Sequence, residues 1–303
     1  MGPTASGKTD VAVSLCERFA LDIISVDSAL VYRGMDIGTA KPDADTLTRA
    51  PHRLIDIRDP EESYSAGDFV RDACREMHDI WEQGRTPLLV GGTMMYFRAL
   101  TGGIAELPSA DAAVRARIDA QAHESGWPAM HAELGRVDPQ AAARIEPNDR
   151  QRIQRALEVH MSTGKTLTEW QTAGTGPVPD GVHYLKLALQ PATRAILHER
   201  IEDRLNVMLN NDFLGEMKAL YERSGLTPEH PSMRSVGYRQ LWEYLDGQTD
   251  LDEAGRRALY ATRQLAKRQI TWLRRESGLL SFDPLEPGVI DSISATLIEF
   301  FNA

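Results

Sequence analysis

Eight residues near the start of the chain, Gly2, Pro3, Thr4, Ala5, Ser6, Gly7, Lys8 and Thr9, have the spacing Gly-x4-Gly-Lys-Thr. That spacing has a mechanical meaning. Glycines let backbone amides turn inward around phosphate oxygens, and the N-terminus of a following helix adds partial positive charge. Lys8 can reach a terminal phosphate and the Thr9 hydroxyl can ligate Mg²⁺, so a phosphorylated substrate with Mg²⁺ as cofactor is expected. Neither an Asn-Lys-x-Asp motif nor four apolar residues ending in Asp accompanies the loop. A P-loop kinase or another transferase is therefore expected, rather than a switch or a motor.

Two further polar groups follow apolar runs. Residues 23–26 lead into Asp27 and Ser28, and residues 88–90 lead into Gly91, Gly92 and Thr93. In α/β folds, ligands bind at the carboxyl ends of the strands. Asp27 would be positioned and partly desolvated there, as a general base must be. Asp also caps helices well, and position alone leaves both readings open. The Gly-Gly pair permits close approach to a ligand, and Thr93 offers a hydroxyl.

The elements that must position these residues alternate. Residues 9–19 have helical spacing, 22–26 and 52–57 read as short strands, 69–83 as a helix with Met77, Ile80 and Trp81 toward the core, and 87–90 as a third strand. Strands separated by helices imply a mostly parallel sheet. From 110 to 157 the chain is rich in Ala, Arg and Glu and reads as several helices. Residues 172–181 lack periodicity and suit a loop or hinge. Residues 182–189 read as a strand, and from 194 onward the chain reads as helical, with breaks at 228–231 and Gly247. The expectation is an α/β, P-loop NTPase-like core built from 1–105 and 179–303, with a helical insertion domain at 106–178. A P-loop normally follows a buried strand, yet only Met1 precedes Gly2. Either the usual first strand is missing or the chain is truncated, and a weakened core is expected.

Composition sets the outer limits. Of 303 residues, 42% are hydrophobic and 26% charged, as in a soluble globular protein. No apolar run approaches the ~20 residues of a membrane-spanning helix. Two cysteines, Cys16 and Cys74, lie far apart without metal-ligand spacing, which points to the reducing cytoplasm. A net charge of −10 argues mildly against a nucleic-acid partner, but binding depends on where cations cluster. Residues 256–275 contain seven Lys and Arg and no acidic residue. At ~100° per residue, Arg256, Arg263, Lys267 and Arg274 share one face within roughly 40°, with Arg257, Arg268 and Arg275 forming a second ridge. Leu259, Ala266, Ile270 and Leu273 gather on a neighbouring face suited to core packing. A solvated face normally mixes signs in i,i+4 pairs. A ridge of one sign repels itself unless something anionic lies against it, so RNA is expected there. Arg152 and Arg155, within Gln151, Arg152, Ile153, Gln154 and Arg155, share a smaller polar-basic helix face, which Arg115 can join. Tyr238 and Trp272 suit either base stacking or core packing.

Several motifs together carry a resemblance. Residues 2–9, the run 27–42 from Asp27 to Pro42, Gly91-Gly92-Thr93, Gln151 to Glu158, Ser235 to Gln240 and Thr262 to Arg274 resemble the bacterial tRNA dimethylallyltransferases, in that family's order and over most of the chain. The resemblance implies transfer of a dimethylallyl group from dimethylallyl diphosphate to N6 of adenosine 37, beside the anticodon of tRNA. It implies that Asp27 accepts the adenine proton and that Arg204 and Thr93 help hold the diphosphate. It also implies tRNA contacts by Asp27, Ser28, Ala29, Leu30 and Thr93, by Arg234, Ser235, Val236, Gly237, Tyr238 and Arg239, and by Arg263, Lys267, Arg268 and Arg274. A monomer without membrane association is expected. A small-molecule kinase needs neither the basic helix nor the insertion. An RNA-binding protein with a degenerate P-loop would not retain Lys8, Thr9 and Asp27 together.

Overall fold

The computed structural model describes residues 1–105, 107–108, 110–173 and 181–302. The loop expected at 172–181 therefore lies, for 174–180, outside the described residues. The chain forms two compact units, Met1–Arg98 with Gly181–Ala303, and Ala99–Asp180.

The first unit begins with the loop that opens α1 (Lys8–Arg18), which buries Val11, Ala12, Val13 and Leu15. Next come β1 (Leu21–Val26), α2 (Ala44–Arg49), β2 (His52–Arg53), α3 (Ala66–Glu82), β3 (Thr86–Gly91) and the start of α4 (Met94–Gly102), within which the boundary after Arg98 falls. β1 is central, pairing in parallel with β2 on one side and β3 on the other, which explains why Ile23, Ile24 and Val26 are wholly buried. The strand expected at 52–57 is only two residues long. Leu54 and Asp56 take φ of 62° and 53°, in the left-handed region that no strand uses. α3 starts from a capping box at Ser65 and Asp68 and buries Phe69, Ala73, Met77 and Ile80. Trp81, expected in the core, is 41% exposed, because one step beyond Ile80 turns it ~100° off that row.

The second unit is helical. It contains α5 (Ala112–Ser125), α6 (Trp127–Val137), α7 (Pro139–Ala142), α8 (Arg150–Thr163) and α9 (Leu167–Thr172). Ile118, Leu134, Ile153 and Leu157 form its core.

The chain then returns through β4 (Lys186–Leu189), α10 (Arg194–Asn210), α11 (Phe213–Tyr221), α12 (Tyr238–Leu245), α13 (Leu251–Leu273), β5 (Leu279–Phe282) and α14 (Val289–Phe301). β5 corrects the expectation of helix alone after residue 194. A four-residue apolar run carries no periodicity of its own, and its strand character comes from parallel pairing with β4. Among the described residues every strand pair is parallel, as expected, but there are two sheets, of three and two strands. Leu88 of β3 and Leu187 of β4 pack against one cluster built by Val11 and Leu15 of α1 and Ile293 and Leu297 of α14. Met1 pairs with β4: its amino group donates to the Leu187 carbonyl at 2.7 Å, and the Leu189 amide donates to the Met1 carbonyl at 2.9 Å.

Candidate active site

The P-loop is a tight cradle. Ala5 and Gly7 take φ of 61° and 82°, and the Ser6 amide donates to the Pro3 carbonyl at 3.3 Å. A left-handed alanine is strained, and such strain persists only where its surroundings hold it. Here α10 holds it. Arg200 Nε donates to the Ala5 carbonyl at 2.8 Å, and Arg204, one turn later, donates to the Thr4 hydroxyl. Arg200 belongs to the site although sequence reasoning assigned it no role. Its i,i+4 spacing from Arg204 was the available signal. Lys8 Nζ donates to the Pro3 carbonyl at 2.6 Å. Burial pulls the Lys8 ammonium down to about 8, with Arg204 adding to the fall and Asp27 opposing it. Burial also lowers Arg204, against the pull of Asp27 and with help from Arg200. Asp27 thus acts on both Lys8 and Arg204. The Ser6 hydroxyl is fully buried and has no hydrogen-bond partner, an arrangement that favours an incoming acceptor.

Asp27 follows β1 at its carboxyl end. Its Oδ1 accepts from the Ala29 amide at 2.8 Å and the Leu30 amide at 3.3 Å, so it caps a turn rather than a helix. The capping and chemical readings are compatible, because one oxygen anchors the group and Oδ2 remains available. Thr93 Oγ1 accepts from the Ser28 amide at 3.1 Å and the Thr93 amide donates to the Val26 carbonyl at 3.2 Å, which ties the two strand ends together. The run after Asp27 is held by Glu216 of α11, which accepts from the amides of Asp36, Ile37 and Gly38 and from the Tyr238 hydroxyl. A Cβ on Gly38 would lie 2.1 Å from the Phe213 ring, so only glycine fits that approach. Glu216 was invisible in sequence, because the three amides it holds lie some 180 residues away.

Among the described residues no group of three His, Cys, Asp or Glu could hold a metal ion. The donor set still suits Mg²⁺, which commonly takes few protein ligands and completes its shell with phosphate oxygens and water. Thr9, in the first turn of α1, engages no side-chain hydrogen bond and is the protein oxygen on offer.

α13 packs as its pattern predicts, with Ala266 and Leu273 buried and Leu259 and Ile270 against Ala5, Leu197 and Ile201. Its ridge is not uniformly free. Arg256 pairs with Glu253, Arg257 with Glu243 of α12, and Arg263 with Glu202 of α10, at 2.9, 2.8 and 2.8 Å. The self-repulsion expected of the ridge is therefore partly relieved, by Glu253 of the same helix and by Glu243 and Glu202 from other helices. Lys267, Arg268, Arg274 and Arg275 are exposed and, among the described residues, make no ion pair. Arg234, Val236, Arg239, Arg257, Tyr260 and Arg268 line an open pocket of about 590 Å³ between α12 and α13. Ser235 lies beside them, partly exposed.

Some residues expected to contact RNA are buried. Tyr238 and Ile153 are both wholly buried, and Gly237 is buried too. Trp272 is 37% exposed and carries Arg98 over its ring at 5.5 Å. In the helical unit, Arg115 and Arg155 both bond the buried Glu158, at 2.9 and 2.8 Å, and Gln154 donates to Asp119. Gln151 and Arg152 are the exposed members of that group, with Arg152 bonded to Asp149.

Fold and site together define a transferase with a P-loop NTPase-like α/β core. The chain belongs to the IPP transferase family, whose sequence pattern matches residues 30–276. It is similar to the tRNA isopentenylpyrophosphate transferase from Bacillus halodurans, with 36% identity, 98% of this chain and 95% of that one covered, and a TM-score of 0.69. The tRNA delta(2)-isopentenylpyrophosphate transferase from Staphylococcus epidermidis is 29% identical over 99% of this chain and 97% of that one, with a TM-score of 0.69. A eukaryotic dimethylallyltransferase acting on tRNA aligns with a TM-score of 0.80 at 26% identity, over 98% of this chain and 77% of that one. These matches do not favour the kinase alternative.

Proposed function

We propose that this chain transfers the dimethylallyl group of dimethylallyl diphosphate to N6 of the adenine at position 37, beside the anticodon of tRNA, releasing diphosphate. The observation that carries the reading is a P-loop whose Ala5 carbonyl and Thr4 hydroxyl are bound by Arg200 and Arg204, with Asp27 anchored through Oδ1 at the carboxyl end of β1. The P-loop amides, Lys8, Arg200 and Arg204 bind the diphosphate and stabilise the charge it gains on leaving. The adenine N6 lone pair attacks the allylic carbon, the carbon–oxygen bond to diphosphate breaks, and the N6 proton passes to Oδ2 of Asp27. Mg²⁺ would be held by the Thr9 hydroxyl and would supply further positive charge at the leaving group.

The acceptor adenine must leave its stack to reach a group at a strand end. The phosphates flanking it meet Lys267, Arg268 and Arg274 on α13, while Arg234 and Arg239 meet them at the open pocket. Gln151 and Arg152 offer a second polar surface in the helical unit. Incubation with unmodified tRNA and dimethylallyl diphosphate, followed by digestion and mass measurement of the nucleosides, tests the proposal. An adenosine heavier by one isopentenyl unit is expected. Consumption of ATP with a small acceptor and no modified adenosine would replace this reading with that of a kinase.

A further inference from the structure

Gln269 sits on α13 one residue beyond the exposed Arg268, but its side chain turns inward and is 9% exposed. Its Oε1 accepts from the Thr4 amide at 2.8 Å, and its Nε2 donates to the Gly92 carbonyl at 2.9 Å. One amide therefore bridges the P-loop and the turn after β3. A Cβ on Gly92 would lie 2.4 Å from that Nε2, so glycine is what lets the amide reach. On one side Thr4 receives Arg204. On the other, Thr93 adjoins Gly92 and accepts from the Ser28 amide, next to Asp27. A continuous series of short bonds thus runs from the diphosphate cradle to the carboxylate.

Each loop is also anchored without Gln269. The P-loop closes on itself through Ser6 and Pro3, and the β3 turn closes on β1 through Thr93 and Val26. The bridge joins the two loops and, with the Gly2 carbonyl lying beside Gly92, sets the separation between them. In-line transfer depends on that separation, since the leaving group lies in one loop and the proton acceptor beside the other. We propose that Gln269 is a positioning residue that holds the diphosphate cradle and the Asp27 end of the site at the spacing the transfer requires; this rests on the proposed function. An amide suits the task because a single planar group accepts from one main-chain N–H and donates to one main-chain carbonyl.

The test compares Gln269→Leu and Gln269→Glu with the wild-type enzyme, reading kcat at saturating substrates, binding of each substrate alone, and thermal melting. Misplacement by about 1 Å can cost about 100-fold in rate, so kcat of Gln269→Leu is expected to fall by about that factor. Its Kd for tRNA and for dimethylallyl diphosphate should stay within about threefold of wild type. A protonated glutamic acid reproduces both bonds, whereas a carboxylate faces the Gly92 carbonyl with no proton to give. The kcat of Gln269→Glu relative to wild type is therefore expected to rise as pH falls, while the ratio for Gln269→Leu stays flat. Should Gln269→Leu fail to fold, the pH dependence of Gln269→Glu decides alone. Wild-type kcat in Gln269→Leu, or a Gln269→Glu ratio that does not change with pH, overturns the inference. Absence of prenyl transfer by the wild-type enzyme would instead overturn the proposed function.

Discussion

Lys8 and Asp27 face opposite demands within one site. Lys8 has lost solvent and has Arg204 beside it, so its ammonium is pulled down to about 8. A bound diphosphate favours the protonated form and raises that value. Affinity for dimethylallyl diphosphate should therefore be flat below about pH 8 and weaken above it, by up to about tenfold per unit. Calorimetry near pH 9 in two buffers of different ionisation heat should show proton uptake on binding, and its absence there would contradict the Lys8 assignment. Asp27 permits a cleaner test than truncation. In Asp27→Asn the remaining oxygen can still accept from the Ala29 and Leu30 amides, so the turn keeps its shape. Turnover should drop by about 10²–10⁴-fold with tRNA affinity nearly unchanged, as measured by filter binding beside single-turnover kinetics.

At the scale of elements, α10 and α13 each serve two purposes. α10 sends Arg200 and Arg204 into the P-loop from successive turns, while Leu197 and Ile201 between them bury against Ala5. α13 packs Ala266 and Leu273 inward and leaves Lys267, Arg268 and Arg274 outward. The ion pairs separate its cations by role. Lys267→Ala should weaken tRNA binding and lower the slope of log affinity against log salt by about one, because an unpaired cation meets a phosphate directly. Arg257→Ala should change that slope less, since Arg257 is already neutralised by Glu243. Equal effects of the two substitutions in a salt titration would contradict this division.

At the scale of the whole molecule, a chain of net charge −10 presents local positive surface because most of its arginines outside α13 face carboxylates. The helical unit shows this most clearly. Burial pushes Glu158 up, but hydrogen bonds from Arg115 and Arg155 and from the Asp111 amide outweigh it and hold the carboxyl below its usual range. A carboxyl lowered in the folded state stabilises at pH above its unfolded value, and that contribution is lost as pH falls through the folded value. Glu158→Gln should therefore cost about 1–3 kcal/mol near neutral pH, with the difference from wild type shrinking in acid. Hydrogen exchange should show the added opening within α5, α6 and α8, which share the Ile118, Leu134 and Ile153 core, rather than in β1.

How much was legible in advance depended on the range of the interactions involved. Amphipathic spacing and glycine punctuation are local, so α1, β1, β3 and the buried face of α13 could be read from the residues alone. The P-loop and Asp27 were equally visible, since each is a residue type at a short, chemically meaningful spacing. β5 could not be read, because a four-residue strand exists only through its partner 93 residues earlier. The same holds for Glu216 over the run after Asp27, for Arg200 on the Ala5 carbonyl and for the Gln269 bridge. Each is a polar group whose partner is chosen by the fold, and the fold also decided which cations of the basic ridge are paired. The sequence by itself determined the phosphate cradle, the α/β class and the family. Only the tertiary structure decided which side chains support that cradle, because hydrogen bonds and ion pairs act over a few ångströms and the groups that make them lie far apart in the chain.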